Sequence, residues 1–569
     1  MASAFHCSFS FTRIWMNPMS VSTQSNYLRL KKLFICTCAP VGVPFPNSSK
    51  ICMVPFNLFS KRHSVRSFAV DTLLGDGAIQ LERHGTPSFL NQNNSQWSSN
   101  DLEGQLQELF DEIMNMIKLG KKDEAIDLLQ ANHEAVKEQV DSGTGNIAEA
   151  AVLDVLLLGY MAIGDLQTAQ IVIDELHKIV NELNDDEMLV DSILMHMGSI
   201  YAKLEKFDLS ICVYRRCLQI MESKYGSKSS FLCTPLLGMA KALGNSRRTP
   251  EALEIYQKII NILESCRGEY SEELVVPLSA LGNFLIKDGK ISDAEHQFDR
   301  ILKIYTRLYG EKDGRVGTAM CSLANVKCAK GDVNEAIDLY KSALQILKDS
   351  KSVPLDDKDM EKMRIDLAEL LHVAGRGEEG RTLLEECLFI TEKYKGKGHP
   401  SLVPNLVNLA TSHSRSKNFA EAERLLRIGL QIMMKAAPPD DPSITFPMLH
   451  LAVALYNLHR DEEAKKLALD ALLIREKAFG KESLPVGEAL DCLVSIQTRL
   501  GEDDIELVKM LKRVLKIQEI AFGHDSEQVV ETLKKLVYYI DKTGKKTEKY
   551  HLEKRLSALR NKFKQMAIY

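Results

Sequence analysis

The 569-residue sequence predicts an all-α fold, an α-α superhelix of about ten to eleven helix-turn-helix repeats behind a disordered N-terminal segment. A short turn-plus-alanine anchor returns every 41 to 44 residues, a glycine recurs at a fixed distance beyond it, and between the two the apolar residues recur at three- and four-residue steps.

The anchor stretches are "GKKDEA", "GDLQTA", "EKFDLS", "RRTPEA", "GKISDA", "GDVNEA", "GRGEEG", "KNFAEA", "HRDEEA", "GEDDIE" and "GKKTEK". They end at Ala125, Ala169, Ser210, Ala252, Ala294, Ala336, Gly380, Ala422, Ala464, Glu506 and Lys549. Twelve residues earlier stand Gly198, Ala240, Gly282, Ala324, Ala368, Ala410 and Ala452. Small residues at two facing positions let antiparallel helices approach closely. Four residues after the anchor come Tyr214, Tyr256, Phe298, Tyr340, Leu384 and Leu426, which fill the space between units. Sixteen residues after it come Gly226, Gly268, Gly310, Gly396 and Gly480, suited to ending a helix in the left-handed conformation. Each unit therefore reads as helix A of roughly 14 residues, a short turn and a longer helix B.

One anchor, "GRGEEG" (375–380), has the glycine spacing of a dinucleotide-binding loop. That chemistry needs a strand ahead of the first glycine. The preceding "RIDLAELLHVA" (364–374) is helical in period, so the stretch is a repeat turn.

Residues 1–70 contain no acid, eight Lys/Arg and fourteen Ser/Thr. This composition predicts a chloroplast transit peptide, with mitochondrial import or a cytosolic protein as alternatives. Residues 71–102 read as a polar linker, 103–560 as the repeat array and 561–569 as a C-terminal tail. Without residues 1–70 the chain holds 64 basic and 77 acidic residues, a net −13. That balance argues against a nucleic-acid surface. No run of about 18 apolar residues suggests a membrane span. The eight cysteines beyond residue 70 are scattered singly, without metal-ligand spacing, and read as small core residues. No H-E-x-x-H, G-x-S-x-G or P-loop motif occurs, so neither catalysis, cofactor nor metal is expected. His399 in "GKGHP" reads as a turn or cap residue.

Small residue, eleven others, small residue, then an aromatic four further on is the signature of the tetratricopeptide repeat, and Gly282, Ala294 and Phe298 stand at its most characteristic positions. The longer period of about 42, with "GKGHPSLVPNLVNLA" (396–410) and "EEAKKLALDALLIREKAFG" (462–480), resembles the repeats of kinesin light chains. The resemblance implies a superhelix whose concave face is lined by helix A. It further implies that residues eleven, eight and seven before each anchor face a protein client, as a peptide or helix. Candidates for that contact are Lys241, Asn245, Asn283, Lys287, Asn325, His372, Arg415, Tyr456 and Asn457. The function expected is a non-enzymatic scaffold or adaptor in the chloroplast; the alternative is a cytosolic, kinesin-light-chain-related cargo adaptor.

Overall fold

The computed structural model describes residues 99–140 and 146–566. The predicted transit peptide and most of the predicted linker lie outside the described residues. Among the described residues there are twenty-two α-helices, three short 3-10 turns and no strand. They form eleven helix pairs, in two compact units divided between Glu311 and Lys312.

The first unit holds α1 (Ser99–Lys118), α2 (Lys122–Val140), α3 (Ile147–Ile163), α4 (Leu166–Glu182) and α5 (Val190–Lys203). It continues with α6 (Phe207–Tyr225), α7 (Cys233–Asn245), α8 (Thr249–Arg267), α9 (Val275–Lys287) and α10 (Ile291–Tyr309). The second unit begins with α11 (Gly314–Lys330), α12 (Val333–Ser350), α13 (Lys358–Val373), α14 (Gly377–Lys395), α15 (Leu402–Arg415) and α16 (Phe419–Ala436). It ends with α17 (Thr445–Asn457), α18 (Asp461–Phe479), α19 (Leu484–Leu500), α20 (Asp504–Phe522), α21 (Glu527–Lys542) and α22 (Lys546–Met566). Odd-numbered helices are the A members and even-numbered ones the B members.

Helix A gives way to helix B through one residue at positive φ, five places before the anchor. Glycine fills it at Gly164, Gly289, Gly331 and Gly375. Glu205, Arg247, Lys417 and His459 hold the same place at φ between 59° and 62°. Each carries a left-handed strain of roughly 1–2 kcal/mol that the surrounding packing outweighs. The anchor N–H then closes the first turn of helix B: Ala252 N–H donates to the Arg248 carbonyl at 3.1 Å, and Ala464 N–H to that of Arg460 at 3.0 Å.

The anchors Ala252, Ala294, Ala336, Ala422 and Ala464 are all fully buried, as are their partners Ala240, Ala324 and Ala452, with Ala410 close to it. The following aromatic fills the space this leaves. A Cβ on Gly198 would stand 2.8 Å from the Tyr214 ring, and one on Gly238 in the next A helix would stand 2.4 Å from it. Tyr214 is thus clasped between two successive A helices. Phe298 lies against Gly282 in the same way, with a Cβ there falling 2.6 Å from the ring. Tyr340 is fully buried.

Helix B ends at glycines with positive φ, at 226, 268, 310, 396 and 480. The next helix A is entered through a capping side chain nineteen residues past the anchor. Ser229, Ser271, Asp313 and Asp441 each accept a backbone N–H two residues on. His399 holds that place in its repeat, and its Nδ1 accepts from the Ser401 N–H at 3.1 Å. It is a cap.

The structure departs from the sequence reading in four places. Glu506 is exposed; Leu507, 1% exposed, is the anchor, its N–H donating to the Asp503 carbonyl at 3.1 Å. The turn ahead of α20 is one residue longer than "GD" at 331–332, which shifts the register. The last helix runs to Met566 because Phe563 packs on the C-terminal core, so most of the expected tail is helical. The first described helix starts at Ser99, inside the expected linker. Finally, five of the eight cysteines are buried, whereas Cys212 and Cys266 are exposed and Cys233 is half-buried.

Gly282→Ala is expected to lower stability by about 1–3 kcal/mol, because the added methyl overpacks a filled space. Adding Phe298→Leu should recover part of that loss. Urea midpoints of the two single variants and the double would measure it; strictly additive effects would show that the two side chains do not touch.

Candidate functional site

In the first unit Lys241, Asn245, Asn283 and Lys287 lie on α7 and α9. Lys241, Asn245 and Lys287 are exposed and Asn283 is half-buried. The side chains of Asn245 and Lys287 make no hydrogen bond or ion pair with any described residue.

Four of the five candidates in the second unit are engaged within the fold. Asn325 is only 8% exposed, and the Tyr340 hydroxyl donates to its Oδ1 at 2.5 Å. It therefore braces its own repeat and is not a surface contact. Arg415 grips the Glu369 carboxylate with both Nη atoms, at 2.6 and 2.9 Å. The Arg499 guanidinium lies 3.4 Å from the centroid of the Tyr456 ring and donates to the Tyr456 carbonyl. Asn457 Nδ2 donates to the Val453 carbonyl at 2.9 Å.

His372 and Arg415 share one recess, about 460 Å³, with Ser416 and the turn 375–379. This is where the "GRGEEG" stretch lies. Gly375 makes the left-handed turn at φ 78°. Gly377 and Gly380 make room: a Cβ on Gly377 would stand 2.9 Å from His372 Nδ1, and one on Gly380 would stand 2.7 Å from the Ala368 carbonyl oxygen. The glycines thus serve the close approach of two helices and an imidazole between them. Burial, together with the positive charge of Arg415, pulls the His372 pKa down to about 4, against the opposing field of Glu369. Its Nε2 is buried and has no hydrogen-bond partner. On the same helix, burial pushes Asp366 up to about 6.

Several buried or half-buried polar groups escape a reading of the sequence by repeat positions alone. Arg475, 2% exposed, donates to Thr445 Oγ1 at 2.9 Å, to the Pro485 carbonyl at 2.6 Å and to Glu488 at 2.8 Å. Asp154 and His196 meet at 2.6 Å inside the first unit. His133 and Glu175 meet at 2.7 Å. Both latter pairs are 42 residues apart, so complementary polar residues one period apart are the signal that would have revealed them. Among the described residues no group of His, Cys, Asp and Glu is placed to hold a metal ion. No described helix is long and apolar enough to cross a membrane.

Residues 273–349 and 359–435 match one tetratricopeptide repeat family model and residues 448–484 match another. The chain therefore carries tetratricopeptide repeats, and its fold is the solenoid they build. Similar solved structures include nearly identical TPR-like repeats of a putative kinesin light chain from Podosopora anserina, at 22% identity and TM-score 0.32, covering 35% of this chain and 93% of that one. BtubC (BKLC) from P. vanneervenii is similar at 19% identity and TM-score 0.31, covering 44% and 93%. The C-terminal part of a TPR repeat-containing protein from Cytophaga hutchinsonii is similar at 14% identity and TM-score 0.32, covering 52% and 99%. Among curated proteins no match was found.

His372 provides a test by titration. Its folded pKa lies below the ordinary histidine value, so between about pH 6.5 and 4 the unfolded chain takes up a proton that the folded chain refuses. Stability falls as pH drops through that window and levels off below it. Asp366 acts with the opposite sign there, so the measurement is a comparison between variants. The loss in urea midpoint from pH 7.5 to 5 should be smaller in His372→Gln than in the wild type; equal losses would sink the assignment.

Proposed function

We propose that this chain is a non-enzymatic protein–protein interaction scaffold or adaptor, holding a client protein or peptide on the helix-A surfaces of its tetratricopeptide array. What carries the reading is the contrast on those helices. In the second unit Asn325, Arg415, Tyr456 and Asn457 are tied up internally, whereas Asn245 and Lys287 on α7 and α9 are exposed without side-chain partners. An amide can bond a client's backbone and an ammonium can meet a carboxylate. The net −13 balance beyond residue 70 favours a protein client over nucleic acid.

The acid-free, Ser/Thr-rich residues 1–70 support a place inside the chloroplast. Assembly or maintenance of a plastid complex suits such a scaffold by analogy alone. The second reading is a cytosolic cargo adaptor related to kinesin light chains, favoured by the period of about 42 residues.

Fusing residues 1–80 to a fluorescent reporter separates the two, since plastid import is expected and a cytosolic reporter would favour the adaptor. Lys287→Glu combined with Asn245→Ala should reduce client recovery several-fold in pull-downs from plastid extracts, with helicity unchanged. Recovery equal to wild type would remove α7 and α9 from the binding surface.

A further inference from the structure

We propose that the cleft bounded by α12, α13 and α14 binds a small amphiphilic carboxylate. Its head would meet Arg364 and Lys348, and its aliphatic tail would lie over Leu344, Leu367, Leu371 and Leu383. The cleft has a volume of about 410 Å³, within the range of small-molecule sites. Its floor is one stripe of α13, on which Arg364 stands among leucines at spacings of three and four residues.

Arg364 is 3% exposed. It donates to the Leu355 carbonyl at 3.2 Å and lies beside the Cys387 thiol, neither of which offsets its charge. No carboxylate of a described residue is within ion-pair distance of it. A buried guanidinium with no direct ion pair is disfavoured, so an anion arriving there is held well.

The cleft lies where an inter-repeat bridge that several other joints make is open. The residue twelve past an anchor faces the residue six past the next anchor, on the following B helix. At that pair of positions Glu222 meets Lys258 at 2.7 Å, Glu264 meets Arg300, and Glu476 meets Arg513 at 2.6 Å. The same positions here carry Lys348 and Glu386, charges of opposite sign that nevertheless form no ion pair. The entry loop explains it: Asp357 caps α13 twenty-one residues past its anchor, two more than Asp313 or Asp441, and the anchor step is 44. At the other end of the cleft Lys341 and Glu379 still bridge α12 and α14 at 2.9 Å.

The open mouth therefore gathers Lys348, Arg364 and Glu386, one positive charge in excess, over an apolar floor. A single carboxylate balances that excess, whereas a dianion exceeds it. The leucines select a hydrocarbon tail over a sugar or base.

Isothermal titration of the full chain with octanoate tests this, with 1-octanol as the uncharged probe of the same length. Octanoate should saturate one site per chain and octanol should bind at least tenfold more weakly. Arg364→Met should weaken octanoate tenfold or more, with a thermal midpoint no lower than wild type because an unpaired buried charge has gone. Leu367→Trp, which fills the cleft and keeps the guanidinium, should abolish binding. If Arg364→Met does not fold, Lys348→Glu decides the matter by the same loss of affinity. Unchanged octanoate affinity in the folded charge variant, octanol binding as tightly as octanoate, or absence of saturable binding would each overturn the assignment. Client recovery by Arg364→Met should match wild type, so this site and the helix-A surface fail independently.

Discussion

The stacking of repeats depends on the closeness with which small residues let the side chain four past the anchor, an aromatic ring from Tyr214 to Tyr340, sit against helix A. Tyr214 lies between Gly198 and Gly238, on two successive A helices, with no room for a methyl on either. A contact of that kind does two things at once. It fixes the crossing within a repeat and it seats the next repeat, which is how a quasi-one-dimensional array passes stability from neighbour to neighbour. A void or an extra carbon there is felt in both repeats, since interiors are packed to crystal-like density.

Polar groups follow the same period. The bridges from Glu222 to Lys258 and from Glu476 to Arg513 join one helix B to the next at 36 and 37 residues. Asp154 and His196 join one helix A to the next at 42. Exposed bridges of this kind contribute little each. Their value lies in register: a repeat displaced along its neighbour would lose several at once. Where the entry loop lengthens by two residues, the bridge between Lys348 and Glu386 is absent and a cavity takes its place.

His372 shows how one substitution spreads through a joint. An imidazole laid across the start of α14 requires Gly377 and Gly380 beneath it, and those glycines, with Gly375 in the turn, reproduce a nucleotide-loop spacing. The pattern is the footprint of a packing requirement. Close approach between helices and close approach to a phosphate both select glycine, and only the surrounding elements tell them apart.

The sequence by itself determined the helical class, the repeat period, the helix pairing and the buried face of each helix. These follow from residue size and polarity at fixed spacing, which are local properties. The anchors Ala252, Ala294, Ala336, Ala422 and Ala464 were legible for that reason, as was the capping role of His399. The slip at Glu506 came from a single extra residue in a turn, whose length the spacing does not reveal until the backbone bonds are seen. The tertiary structure alone decided which polar helix-A residues stay available. Asn325 and Lys287 are alike on paper, being polar residues on helix A before an anchor; the first is held by Tyr340 and the second faces solvent. Whether a polar side chain finds a partner depends on what the neighbouring helix presents a few ångströms away, and that is a property of the assembled stack.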